Sequence, residues 1–461
     1  MPVFQKRSTF QVSAEELFAW HSRPGAFLRL SPPWDAVELE VDEGGIKDGA
    51  RKVIVLRMGP LKLRWVAHHR DYIEGRQFRD EQVKGPFAQW VHTHSFVSEG
   101  ESHSVLEDHI EYKLPLHPLS QWVAGWNVRA MLERMFMYRH ETTQNDIQRH
   151  AKYRDRDRLK VAITGASGLL GKSLTGFLQT GGHTVVPLVR RRPAEGEEAI
   201  YWKPSEGDID AAALEGFDVV VHLAGEGVAN GRWNAARKNR IMESREKGTQ
   251  LIAETLAQCK NPPKTLLSAS AIGFYGDNPR DVVVTEDSPA GDNFLADVCK
   301  VWEDSAQPAK DAGIRVVHPR IGLVMTSAGG ALAKMLTPFQ MGVGGRIGSG
   351  KQGMSWISLE DTIGALYHLM YEEDIEGPVN LTAPNPCSNA EFTKTLGKVL
   401  RRPTIFPLPE MVVKTLFGQM GDEALLEGAY VHPDRLISTG FDFLYPSLED
   451  ALRQTLGKPK S

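Results

Sequence analysis

The chain has 461 residues, enough for roughly two or three domains that each bury a core. Charged residues make up 24% and the net charge is −4, which excludes a polycationic nucleic-acid binder or a chain drawn to anionic membrane by its overall charge. The three cysteines, Cys259, Cys299 and Cys387, share no CxxC spacing, so neither a disulfide framework nor a cysteine zinc site is expected, and a reducing, cytoplasmic compartment fits. No apolar run approaches the ~20 residues that cross a bilayer, and the Met1–Arg7 segment lacks a signal-peptide core.

In chain order, Ser13-Ala14-Glu15-Glu16 reads as a capping box opening a short helix through Phe18 and Trp20. Strands are expected at Arg51–Arg57, Leu61–His68, Phe87–Val97 and Ser104–Leu114, with turns at Gly59-Pro60 and Gly85-Pro86. A long helix comes next, with Val128, Leu132, Met135 and Phe136 on one face. This α+β order resembles the START-like, polyketide-cyclase-like helix-grip fold. The resemblance implies that the long helix closes a curved antiparallel sheet over an apolar cavity, which either holds a hydrophobic ligand or is filled as core. His92 and His94 alternate on one strand and so share a face. With no third ligand placed by the sequence, they read as solvent-facing, and no metal is expected.

The charged run Arg149–Arg158 separates this region from the remainder of the chain. The expected domains are 1–152, START-like; 159–395, dinucleotide-binding; and 396–461, completing a small C-terminal substrate region. Beyond residue 158, apolar strands at Leu159–Thr164, Thr184–Val189, Val219–Leu223, Thr265–Ser270, Val316–Val317 and Val379–Leu381 alternate with helices. That alternation specifies an α/β, doubly wound parallel sheet of Rossmann type. At its head, Val161–Ile163 runs into a turn carrying Gly165, Gly168 and Gly171, with Ser167, Leu169 and Leu170 between them. Leu170, Leu174, Phe177 and Leu178 then mark one helix face. A strand, a glycine turn and a helix N-terminus together bind a pyrophosphate.

The second strand of this region runs into Arg190-Arg191-Arg192, where dinucleotide folds read the adenosine ribose. A guanidinium there pairs with a 2′-phosphate, so Arg190 and Arg191 indicate NADP(H) rather than NAD; the other reading is a solvated basic loop. His222-Leu223-Ala224-Gly225-Glu226 is a small-residue turn that admits the dinucleotide backbone, with Leu223, Ala224 and Glu226 as contacts. A further strand passes Ser268 and ends in Ser270-Ala271-Ile272-Gly273-Phe274-Tyr275-Gly276.

From the TGxxGxxG spacing at Thr164–Gly171 and the Ser-x-x-x-Phe-Tyr-Gly strand end, residues 159–455 resemble the extended, epimerase-like branch of the short-chain dehydrogenase/reductase superfamily. The runs Pro338–Gly350, Met354–Ile357, Tyr430–Arg435 and Gly440–Phe443 resemble an atypical subfamily of it. The resemblance implies that Ser270 hydrogen-bonds a substrate carbonyl or hydroxyl, and that Ser268, Arg245 and Arg320 lie near the cofactor; either arginine could equally be an ordinary ion-pair residue. The superfamily's Tyr and Lys, four residues apart, are missing. The corresponding helix carries Cys299 and Glu303, and a carboxylate beside a thiol disfavours the thiolate. Cys299 is therefore either a buried structural residue or a weak stand-in, and Tyr275 either supplies a phenol or walls the pocket. Gly345-x-x-x-x-Gly350-Lys351 lacks the Ser or Thr of a P-loop, and no strand leads into it. The leading expectation is an NADP(H)-dependent oxidoreductase or epimerase acting on a small-molecule carbonyl or secondary alcohol. The alternatives are a non-catalytic NADP(H) binder or a hydrophobic-ligand carrier.

Overall fold

The computed structural model describes residues 1–58, 61–115, 119–229 and 231–459; the Gly59-Pro60 turn lies outside them. The chain divides into two compact units. The first comprises residues 1–157 with 175–182 and 454–459, and the second residues 158–174 with 183–453.

Among the described residues, seven strands build the first unit: β1 (Val3–Phe10), β2 (Val37–Glu43), β3 (Arg51–Met58), β4 (Leu61–Ile73), β5 (Gln77–Lys84), β6 (Gln89–Ser98) and β7 (Ser104–Lys113). They form one antiparallel sheet in the order β1-β7-β6-β5-β4-β3-β2. Two short helices, α1 (Ala14–Ser22) and α2 (Ala26–Leu30), follow β1, and the long α3 (Leu119–Lys152) ends the unit. Ser13 caps α1 by accepting the Glu16 N–H at 3.2 Å. Leu132 and Phe136 of α3 pack against Phe4, Trp90, Ile110 and Tyr112 of the sheet, which is how the helix covers one face.

β1, β2 and β5 are not among the strands expected from the sequence. β5 (QFRDEQVK) hides its period because an inward position holds Asp80 instead of an apolar residue. One expectation is overturned: His92 and His94 do not face solvent. They are 3% and 9% exposed, in the same inward row as Trp90 and Phe96. His94 stacks on Phe78, ring centres 4.2 Å apart. The interior of this unit is therefore aromatic core with a polar cluster inside it. A cleft of about 590 Å³ lies beside α1, lined by Phe18, Ile46 and Tyr72 with Glu15, Lys47 and Arg76.

The second unit opens with β8 (Lys160–Thr164), α4 (Leu169–Thr180), β9 (Thr184–Val189), β10 (Ile200–Lys203), the short antiparallel β11 (Asp208–Ile209) and β12 (Val219–His222). After β12 come α5 (Ala235–Ala257), β13 (Thr265–Ser268), β14 (Ser270–Ala271), β15 (Val283–Val284), α6 (Phe294–Asp304), α7 (Gln307–Asp311) and β16 (Arg315–Ile321). The order is β11-β10-β9-β8-β12-β13-β16, with β14 and the last strand, Gly377–Leu381, both parallel to β16. β8 to β9 and β10 runs one way and β12 to β16 the other, so the order reverses between β8 and β12. Ligands of such sheets sit outside the strand C-termini at that reversal. β8, β12 and β13 are buried along most or all of their length, which explains their unbroken apolar runs.

Candidate functional site

Three strands deliver the site. Thr164, His222 and Ser268 lie in register at the C-terminal ends of β8, β12 and β13. The residues after them (Gly165, Leu223 and Ala269) therefore leave the sheet along one edge. Thr164 fastens the first two: its hydroxyl accepts from Leu223 N–H at 3.1 Å and Ala224 N–H at 3.2 Å, and it meets His222 Nδ1 at 2.7 Å. Burial, and then the Arg245 charge, lower the His222 pKa to about 4, so this hydrogen bond is one between neutral groups.

Two glycines of the turn, Gly165 and Gly171, admit no side chain. Gly165 sits at φ +69°, and a Cβ on Gly171 would stand 2.2 Å from Gly165 O and 2.7 Å from Ala166 Cα. The helix thus closes directly onto the turn, with Gly168 N–H donating to Gly165 O at 2.8 Å. Ser167 and Gly168 are exposed at its mouth, and Leu169 and Leu170 open α4, where N–H groups have no intrahelical acceptor. A Cβ on Gly168 would meet only Gly165 O, at 3.1 Å, so that side is open. Backbone donors around a concavity that side chains would fill fit a pyrophosphate.

The three arginines after β9 separate. Arg191 is held by Glu197 at 2.7 Å, and Arg192 pairs with Asp208 at 3.0 Å over the Tyr201 ring. Arg190 is exposed and has no ion pair among the described residues. Arg245 is buried and spends its Nη1 on the Glu226 and Ile241 carbonyls, 3.0 Å each, beneath Gly225, while its guanidinium lies 4.6 Å from the Trp302 ring centre. Its place is behind the Gly225–Glu226 turn, where it shapes the backbone. Glu226 pairs with Arg237 at 2.8 Å.

Beyond β13, Ser268 is fully buried and its hydroxyl has no hydrogen-bond partner among the described residues. Ser270 donates to Glu303 Oε1 at 2.7 Å. Arg320 grips both Glu303 oxygens, Nε to Oε1 and Nη2 to Oε2, each at 2.8 Å. Its Nη1 donates to Tyr275 OH at 2.9 Å, which in turn donates to Asn380 Oδ1 at 2.7 Å. Arg320, expected near the cofactor or on the surface, is therefore not a surface residue. It is 3% exposed and committed to this chain of groups.

Tyr275 is likewise a buried link, and burial raises its pKa. Burial, and then Glu303, push the Cys299 thiol up to about 11; its Sγ rests 3.5 Å from Ala271 O as a packed, protonated group. Lys300 points away and pairs with Asp297 at 2.7 Å. Glu303 and Asn380 are the groups that residue-by-residue reasoning misses. In the sequence Glu303 stands out only as a neighbour of the thiol, and nothing local announces Asn380. The Gly345–Lys351 loop runs into the short strand Gly353–Met354, not the helix that a P-loop requires.

Comparison with known proteins accords with this geometry. Residues 161–381 match the NAD dependent epimerase/dehydratase family. An epimerase family protein of Mycobacterium bovis is 43% identical over 299 residues, covering 65% of this chain and 98% of that one. The chain belongs to the epimerase family. Residues 10–136 of this epimerase-family chain match the family of polyketide cyclase/dehydrase and lipid transport proteins, and residues 408–455 match a domain of unknown function, DUF1731. Among solved structures, it is similar to a nucleoside-diphosphate sugar epimerase from Corynebacterium glutamicum, with TM-score 0.82 and 32% identity over 98% of this chain and 90% of that one. The human epimerase family protein SDR39U1, solved with NADPH, gives TM-score 0.59 and 35% identity over 64% of this chain and 99% of its own. Among the described residues, no helix is long and apolar enough to cross a membrane.

Proposed function

We propose that this chain is an NADP(H)-dependent oxidoreductase or epimerase acting on a carbonyl or secondary alcohol, with residues 159–395 binding the cofactor and 396–461 completing the substrate lobe. The tight glycine turn at Gly165–Gly171 carries the reading, and the NADPH held by the human relative supports it. Ser167, Leu169 and Leu170 hold the pyrophosphate through backbone N–H groups over the open side of Gly168, and Arg190 pairs with the 2′-phosphate. When bound, the nicotinamide supplies or accepts the hydride.

The chain's own residues handle the proton. Ser270 Oγ takes the proton of a substrate hydroxyl while passing its own to Glu303 Oε1, and runs the relay in reverse when a carbonyl is reduced. Arg320 positions Glu303 through its two-pronged grip. Glu303 lies on the helix that corresponds to the one carrying the superfamily's Tyr and Lys, and Ser270 is the superfamily's strand-end Ser. The site of action is cytoplasmic, consistent with three free thiols.

NADPH oxidation across a panel of carbonyl substrates tests this. Ser270→Ala and Glu303→Gln are each expected to lower kcat by about 10²-fold or more while leaving the NADPH Kd unchanged. Unchanged turnover in both variants removes the pair from catalysis. NADPH binding with no turnover on any carbonyl favours the second reading, a non-catalytic NADP(H) binder, for which the protonated Cys299 and the fully engaged Tyr275 speak. A hydrophobic ligand in the START-like unit would occupy the cleft beside Phe18, Ile46 and Tyr72.

A further inference from the structure

The dinucleotide site makes no use of the most unusual feature of the first unit, a buried cluster of histidines and aspartates. β5 and β6 are antiparallel with Asp80 opposite His92, so Asp80, His92 and His94 converge from two neighbouring strands. One ligand atom from each lies within 4.8 Å of the others. Asp80 Oδ2 is 3.0 Å from His92 Nδ1 and 3.6 Å from His94 Nε2. An ion with bonds of about 2.0–2.2 Å in tetrahedral geometry holds its ligand atoms about 3.3 Å apart, a value these two separations bracket.

The rings' far sides are arranged for the same purpose. A metal-bound imidazole commonly hands its other nitrogen to a carboxylate, which fixes its orientation. Asp108 of β7 stands in that position: His92 Nε2 meets its Oδ1 at 2.9 Å, and His140 Nε2 of α3 anchors its Oδ2 at 2.6 Å. His94 Nδ1 also lies 2.7 Å from Asp108 Oδ1. A self-contained ion-pair network would satisfy its buried nitrogens. Here Nδ1 of His69 and His140 has no hydrogen-bond partner among the described residues, and both residues are more than nine-tenths buried. His69 lies opposite Asp80 on β4, next to the position that a fourth ligand would take. The Asp80 side chain is 19% exposed, which leaves an entry path.

We propose that Asp80, His92 and His94 bind a divalent first-row transition ion, Zn²⁺ foremost, with Asp108 orienting the imidazoles and His69 or water completing the shell. Two imidazoles and a carboxylate suit this class of ion and not Ca²⁺ or Mg²⁺, which prefer all-oxygen cages.

The full chain, stripped with a chelator, is titrated calorimetrically with Zn²⁺ alone. One ion per chain is expected, with binding abolished in Asp80→Asn and His94→Gln and weakened about 10–100-fold in Asp108→Asn. Circular dichroism establishes that each variant is folded. Independently of any variant, X-ray absorption of the Zn²⁺-loaded wild type is expected to show two imidazoles, or three where His69 completes the shell, with oxygen and no sulfur. No saturable binding in the wild type, undiminished binding in folded Asp80→Asn and His94→Gln, or a shell without imidazole overturns the proposal.

Discussion

At the scale of single residues, environment decides what each functional group can do. Arg190, Arg191 and Arg192 are chemically identical, but two of them are neutralised by local acids and one is not. Arg190→Ala is therefore expected to raise the NADPH Kd about tenfold or more while leaving the NADH Kd nearly unchanged, as read by fluorescence titration. Equal affinity of the wild type for both cofactors would remove Arg190 from the site. Cys299 teaches the converse. Its thiol, pushed by burial and then Glu303 from the usual 9.0 to about 11, keeps its proton in the folded chain at pH values where the unfolded chain has lost it. Folded-state stability from this group is thus fully present below about pH 9 and declines as pH rises to about 11, at up to ~1.4 kcal/mol per pH unit. Cys299→Ala is expected to flatten that part of the decline in urea unfolding followed across this window, leaving the contributions of other groups that burial raises, Cys259, Tyr275 and Cys387 among them. An unaltered slope would mean that the thiol ionises normally.

At the scale of elements, the glycine turn separates two roles that a motif cannot distinguish. Gly171 is required by the fold, because a Cβ would collide with the rigid Gly165 carbonyl at 2.2 Å. Gly168 has only a 3.1 Å neighbour and is open on its other side. Gly171→Ala is expected to destabilise the chain by about 1–3 kcal/mol and to weaken NADPH binding with it. Gly168→Ala should lower the melting temperature less than Gly171→Ala does, while raising the NADPH Kd at least tenfold. If Gly168→Ala binds NADPH normally, the pyrophosphate does not lie against this turn. Strand periodicity is similarly informative and similarly incomplete. β8, β9, β12 and β13 are legible as apolar runs, whereas β5 is not, because Asp80 occupies an inward position that sequence patterning reserves for apolar residues. The same blind spot misplaces His92 and His94. The alternation Trp90-x-His92-x-His94-x-Phe96 already puts them on the face of two large aromatics, and here parity is the better guide than polarity.

Over the whole molecule, local chemistry by itself determined the kind of structure: a charged boundary near residue 155, an antiparallel α+β region before it, and a doubly wound sheet with a dinucleotide turn after it. These features are legible because strand and helix periods, glycine turns and caps are encoded within a few residues of one another. Only the tertiary structure decided which polar side chains meet. Ser270 and Glu303 are 33 positions apart, Glu303 and Arg320 are 17 apart, and Tyr275 and Asn380 are 105 apart. Asp80 finds His92 through a strand register, and Asp108 finds His140 through the packing of α3 on the sheet. Such meetings depend on register and crossing geometry, which no local pattern carries. The turn at Gly165–Gly171 could therefore be read from the chain alone, while the Ser270–Glu303–Arg320 hydrogen-bonded chain and the histidine–aspartate cluster exist only once the strands are aligned.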